Sequence, residues 1–191
     1  MAAQGAVYED PKFVRTLFST PRFAWLWAIV RIWLGWQWIQ AAEHKIGEAA
    51  WVGGGAALKT FWERAVAIPA APARPAITFD WYRSFLQYLL DVQAYTWFAK
   101  LVAYGELLIG IALIIGAFVG IAAFFGALMN FNFMLAGSAS TNPMLFIIAV
   151  FLVLAWKVAG HYGVDRYLLP MLGTPWKPGK VFNGERTVLV T

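Results

Sequence analysis

The chain has 191 residues, of which 61% are hydrophobic and only 13% are charged, with a mean hydropathy of +0.61. A soluble globular domain carries about 45–50% apolar and about 25% charged residues, so this composition points to an integral membrane protein. The net charge of +5 is scattered rather than gathered into a basic, aromatic-interleaved patch, which argues against nucleic acid as a partner. With no cysteine, the chain itself has no disulfide exchange, thiolate nucleophile or cysteine-ligated iron–sulfur or zinc site.

Residues 1–20 read as a cytoplasmic arm with a short amphipathic helix over 11–18. Glu9, Asp10, Lys12 and Arg15 interrupt any cleavable signal sequence, so the first span is expected to serve as an uncleaved signal. Ser19, Thr20 and Pro21 supply a capping residue and a helix-compatible proline for a span over about 22–46. That span holds Trp25, Trp27, Trp33, Trp36 and Trp38 together with Arg31, Gln37 and Gln40. Trp25 and Trp27 suit interfacial anchoring, whereas Trp33 and Trp36 lie too deep for it. Trp33, Gln37, Gln40 and His44 are spaced i, i+4, i+7, i+11 and so share one helical face. Such a face is either the wall of a ligand cavity or a seam where amides hydrogen-bond between helices.

Residues 47–95 form a long connection. After the break at Gly53, Gly54 and Gly55, Leu58, Phe61, Trp62, Ala65 and Val66 share a face, as in an interfacial amphipathic helix. An extended segment from Pro69 to Pro75 follows. Asp80 is expected to cap a second helix over 81–92, with Phe85, Leu86 and Leu89 turned inward. A connection of this length with its own helices reads as a functional cap.

Three more apolar segments follow at about 97–116, 120–138 and 143–162. Ala112, Gly116 and Gly120, small residues at fours, favour close helix approach. Lys157, His161 and Asp165, at i, i+4, i+8, form an interfacial cluster near the end of the fourth segment. Residues 164–191 make a basic tail with Arg166, Lys177, Lys180 and Arg186 among Pro170, Pro175 and Pro178. The expected fold class is all-α integral membrane. A bundle of four transmembrane helices spans 21–163, with an amphipathic-helix cap between helices 1 and 2. Four spans put both termini on one side, and Arg15, Arg22, Arg166, Lys177 and Lys180 assign that side to the cytoplasm of a cell-membrane protein.

Arg31, Glu106 and Asn130 each fall roughly ten residues from a span end, which at ~1.5 Å per residue places them near the bilayer midplane. An unpaired charge there costs at least ~2.5 kcal/mol. The reading is a buried polar core: an Arg31–Glu106 ion pair, with Asn130 or Asn132 completing its hydrogen bonds. Such a pair either fixes helix register or forms a site for a polar head group or a proton. His44 and His161 fall at opposite ends of the bundle, so neither a bis-histidine haem nor a shared metal is expected. No glycine-rich phosphate loop, Ser/His/Asp arrangement or carboxylate-rich metal motif is present. Redox chemistry would then need an organic cofactor such as a quinone, or a partner subunit. Trp33, Trp36, Gln37 and His44 offer aromatic faces and donors for a quinone head group, with Gln40 beside them.

The ensemble of Arg31, His44-Lys45, Tyr104-Gly105-Glu106, Asn130 and Asn132 resembles the DoxX family. The run from Asp80 to Arg83 and the Leu154–Gly160 segment resemble its longer, DoxD-like members. The likeness runs from about residue 22 to 176. It implies a four-helix membrane bundle and, through the archaeal thiosulfate:quinone oxidoreductase that gave the family its name, quinone as a ligand. It also implies soluble sulfurtransferase or superoxide dismutase partners in oxidative stress; without cysteine, any persulfide would be held by a partner. Three readings stand. One is a quinone-binding oxidoreductase component. Another is a non-catalytic anchor for soluble redox or sulfur-handling partners, packed without a cavity beside Trp33 and Gln37. The third is a solute- or lipid-handling protein, which would need an open lateral or axial path lined by the same residues and, for transport by so small a bundle, a homo-oligomer.

Overall fold

The computed structural model describes residues 10–173. Among these the chain is all helical, with ten α-helices, one 3-10 turn and no strand. Helix α1 (Lys12–Ser19) is short and two-faced, and it lies across the start of α2 (Ala24–Gly47). The Trp27 indole donates to the Leu17 carbonyl at 2.8 Å, and the Phe18 ring sits 5.3 Å from that of Trp27. Thr20 does not cap the helix as expected. Its hydroxyl turns back to the Thr16 carbonyl at 2.7 Å, and Pro21–Phe23 forms a 3-10 turn into α2.

The connection folds into α3 (Ala49–Val52), α4 (Ala56–Val66) and α5 (Asp80–Asp91). Helix α4 buries Leu58, Trp62 and Ala65 as its periodicity requires, packing against α5 and α6. Helix α5 departs from expectation in two ways. Phe85 faces outward and Tyr82 inward with Leu86 and Leu89, so the buried stripe runs i, i+4, i+7 from Tyr82. Asp80 opens the helix without capping it, because its carboxylate pairs with Arg83. These side chains, with Ile77, Ala94, Ala99 and Ala136, form one apolar core under the cap.

Helices α6 (Tyr95–Ile115), α7 (Val119–Leu135) and α8 (Asn142–Leu154) carry the apolar half of the chain. Helix α6 stops where Gly116 takes a left-handed φ of +71°, a conformation that costs a residue with a Cβ. Helix α8 starts with Pro143 in its first turn, where the missing N–H has no intrahelical partner to lose. The fourth segment is not one helix to residue 162. It breaks at Ala155, resumes as α9 (Trp156–Ala159), turns at Gly160 and continues as α10 (Asp165–Leu172). Helix α6, 21 residues with mean hydropathy 2.0, is long and apolar enough to cross a membrane; α7 and α8 are apolar but shorter.

The most extensive packing is between α2 and α6 and between α7 and α8. Helices α2 and α6 run antiparallel and approach most closely at Gly35 and Gly110. A Cβ on either would lie 2.9 Å from the other's carbonyl oxygen. This pair, rather than Ala112, Gly116 and Gly120, sets the close approach: Gly116 belongs to a turn and Gly120 lies against Trp156. The second core joins Trp27, Leu34 and Trp38 of α2 to Ile109 and Leu113 of α6 and to the small residues of α7.

Candidate functional site

Register decides which polar groups meet. With Gly35 opposite Gly110, Arg31 falls opposite Leu113 and Ile114. That is about 10 Å beyond Glu106 along α6 at ~1.5 Å per residue. Arg31 therefore does not pair with Glu106, correcting the expected ion pair. Its Nη1 donates to the carbonyls of Leu113 and Ile114 at 2.5 and 2.6 Å, its Nε to Ala159 at 3.0 Å, and its Nη2 to Tyr162 at 2.8 Å. A cation thus closes the free carbonyls at the C-terminal ends of α6 and α9, where a helix dipole favours positive charge. Asp165 closes the other side of the same turn by accepting from the Phe118 and Val119 N–H groups at 2.6 and 2.9 Å, at the start of α7. Burial pushes the Asp165 carboxyl above the ordinary aspartate range, while those two N–H groups and the Arg31 charge pull it back. Arg31 and Asp165 are both buried.

Glu106 pairs with Lys45 instead, whose Nζ lies 2.7 and 3.0 Å from its two carboxylate oxygens. The lysine stem reaches back along α2 from its C-terminal turn, and its ammonium also lies 5.2 Å from the Trp51 ring and 5.9 Å from that of Phe133. Beside the pair lies a cavity of about 360 Å³. Gln37, Trp38, Gln40 and Lys45 of α2, Glu106 of α6 and Asn130 of α7 line it, with the loop over 138–142 at its mouth. Asn130 is fully buried, yet neither its amide nitrogen nor its oxygen has a hydrogen-bond partner, and the buried Trp38 Nε1 has none either. Each such orphan costs about 1–3 kcal/mol, and both side chains belong to the cavity wall although these polar atoms themselves are covered, Trp38 Nε1 by the α7 backbone at Gly126.

The remaining predicted residues divide. Gln37 and Gln40 line the cavity, but Trp33, Trp36 and His44 do not. Trp33 and Trp36 are exposed, and His44 pairs with Glu48 at 3.2 Å on the outer surface. The cavity face is rotated by one residue from the expected one, because Trp27, Arg31, Leu34, Trp38 and Ala42 form the buried stripe of α2. Trp38 and Lys45 were legible as members of that neighbouring face, at i and i+7. Asn132 does not complete a charged core. It is half-buried, donates to the Leu128 carbonyl at 2.8 Å, and accepts from the Tyr82 hydroxyl at 3.2 Å. Burial pushes the Tyr82 phenol up to about 12.

Lys157, His161 and Asp165 do meet, though not on one helix. Lys157 stands on α9, His161 in the following turn and Asp165 at the start of α10, and all three line a second cavity of about 220 Å³. His161, next to the Tyr162 that Arg31 holds, lies about 20 Å from His44 by helix rise along α2. Among the described residues no group of three or more His, Cys, Asp or Glu side chains could hold a metal ion. Lys177, Lys180 and Arg186 of the basic tail lie outside the described residues. Comparison with protein-family models, with curated proteins and with solved structures finds no match.

Proposed function

We propose that this chain is a four-span membrane protein of the DoxX type that holds a quinone head group in the cavity beside Glu106, as a component of a quinone-linked oxidoreductase. The spans are α2, α6, α7 and the broken α8–α9 pair, with both termini cytoplasmic and α3–α5 capping the outer side. Large apolar side chains exposed on α2, α6, α7 and α8 support immersion, among them Ile32, Leu108, Phe124 and Ile147. Helix α7 gives only about 25 Å of rise and α8 about 20 Å, so the bilayer is thinned locally or α8 and α9 cross it together.

The observation that carries the ligand reading is the set of orphaned donors. A quinone offers two carbonyl oxygens and a flat ring. Trp38 and Asn130, whose side-chain N–H groups have no partner, line the cavity with Lys45 and Phe133, and a side-chain rotation would turn those covered donors toward such oxygens. Protonation of a reduced quinone needs an exchangeable proton nearby, and the Lys45–Glu106 pair provides one. An anchor with no ligand needs no cavity beside Gln37, and this is why the binding reading is preferred.

The test is equilibrium binding of a short-chain ubiquinone or menaquinone analogue to the detergent-purified chain. Wild type is expected to saturate in the micromolar range. Trp38→Phe and Asn130→Leu, each losing a donor, are expected to weaken binding about ten-fold or more, while Trp33→Ala, outside the cavity, leaves it unchanged. Partitioning that does not saturate and is equal in all four proteins would overturn the quinone reading.

A further inference from the structure

We propose that the second cavity, between α9 and α10, binds a phosphate group through Lys157, His161 and Arg166. These side chains reach it from three separate pieces of chain: α9, the turn over 160–164, and α10. Asp165 is the one acid in the lining, and it is already spent. Its two oxygens accept from the Phe118 and Val119 N–H groups, and the Arg31 charge faces it. Arg31 and Asp165 cancel, which leaves Lys157 and Arg166 as excess positive charge. Among the described residues neither cation has a carboxylate within ion-pair distance.

The cavity is also rigid. Its floor is Gly160, where a Cβ would lie 2.4 Å from the Asp165 Cβ. The turn beside it is tied to the α6–α7 corner by Val164 N–H to the Ile115 carbonyl at 3.1 Å and Asp165 N–H to the Gly116 carbonyl at 2.8 Å. Arg31 holds the same turn through the Ala159 and Tyr162 carbonyls. Lys157 and Arg166 are exposed side chains lining one cavity from α9 and α10, so an anion there can be approached by both, and His161 adds a donor for it.

A phosphate reaches such a site either free or as the headgroup of an anionic phospholipid. The rim favours the headgroup. Tyr162, Val164, Tyr167 and Met171, close to the basic residues in sequence though not in the lining, are exposed, and Trp156 forms one wall. Aromatic and basic side chains together at the end of apolar helices suit a membrane interface. Only the lipid source rests on the membrane reading; the phosphate chemistry stands without it, and neither depends on the quinone cavity.

The test uses the full chain in a neutral detergent, with labelled phosphatidylglycerol or phosphatidylcholine added in mixed micelles, and inorganic phosphate in a separate arm. The variants are Lys157→Gln/Arg166→Gln, the charge-conserving Lys157→Arg/Arg166→Lys, and Lys59→Gln/Arg64→Gln as a control on the distant cap. Saturable phosphatidylglycerol binding is expected to weaken about 30-fold in the first variant and to hold in the other two. The zwitterionic phosphatidylcholine should bind far less. Inorganic phosphate binding as tightly as the lipid, with the same dependence on Lys157 and Arg166, would assign the site to a soluble phosphate compound. Equal phosphatidylglycerol binding by wild type and the first variant, or an equal loss in the cap control, would overturn the proposal.

Discussion

The two ends of α2 handle buried charge in opposite ways. Near its start, Arg31 spends four guanidinium N–H bonds on carbonyls of α6, α9 and the following turn, and Asp165 spends both oxygens on the start of α7. Near its other end, Lys45 and Glu106 satisfy each other, but Asn130 and Trp38 beside them are left without partners around a cavity. The first end resembles a rivet and the second a receptacle. Proteins rarely leave buried polar groups orphaned unless something else completes them, so unequal satisfaction distinguishes a structural cluster from a functional one better than charge or burial does.

Substitutions should break this contrast in a graded way. Arg31→Leu strips the α6 and α9 carbonyls of their donor and leaves Asp165 buried alone, so it is expected to cost about 3–5 kcal/mol in unfolding of the detergent-solubilised protein. At the open end Lys45→Met strands the Glu106 carboxylate and should cost about 3 kcal/mol, most of it recovered in Lys45→Met/Glu106→Leu. The absence of recovery in the double variant would mean that the pair does more than neutralise itself. Gly35→Ala places a methyl 2.9 Å from the Gly110 carbonyl and should cost about 1–3 kcal/mol by prising α2 from α6, visible as a lower melting temperature.

The cap supplies a pH test. The Tyr82 phenol donates to Asn132 and ionises at about 12 when folded, against an ordinary value of 10.0. A raised folded value means that its stabilisation is complete below pH 10 and is lost as pH rises from 10 towards about 12. Tyr82→Phe should cost about 1 kcal/mol at neutral pH and remove the late step from the tyrosinate absorbance titration. The smallest effect carries the opposite sign. Asn130→Leu removes an unpaired amide, so the ligand-free protein should gain up to about 1 kcal/mol in unfolding experiments while ligand binding weakens. A loss of stability there would place Asn130 with the rivet rather than the receptacle.

Much of this organisation was legible in the residues. The apolar runs after Tyr95, the glycine stop at 116 and the proline start at 143 place α6, α7 and the start of α8 within a few residues, because each of these boundaries is local backbone chemistry; the break of the fourth segment at Ala155 was not legible. The inward face of α4 followed from its periodicity. Several participants of the polar clusters were also visible, since Arg31, Glu106 and Asn130 stand out in so apolar a chain, but Lys45 and Trp38 were not singled out and Asp165 was read as interfacial. Their partners were not visible. Arg31 with Glu106 was a natural pairing by depth alone, and it failed because register along α2 and α6 is set elsewhere, at Gly35 and Gly110.

The face of α2 shows the same limit. Trp33, Gln37, Gln40 and His44 make a plausible wall by spacing, yet Trp27, Arg31, Leu34, Trp38 and Ala42 make an equally regular stripe, and burial chose the second. Composition and local pattern determined the helical class, most element starts and the burial of Arg31, Glu106 and Asn130. Tertiary structure alone decided which of them meet, because a polar group's partner depends on interhelical register and rotation. Those are set by where two backbones can come closest, and no local window of sequence contains both sides of that contact.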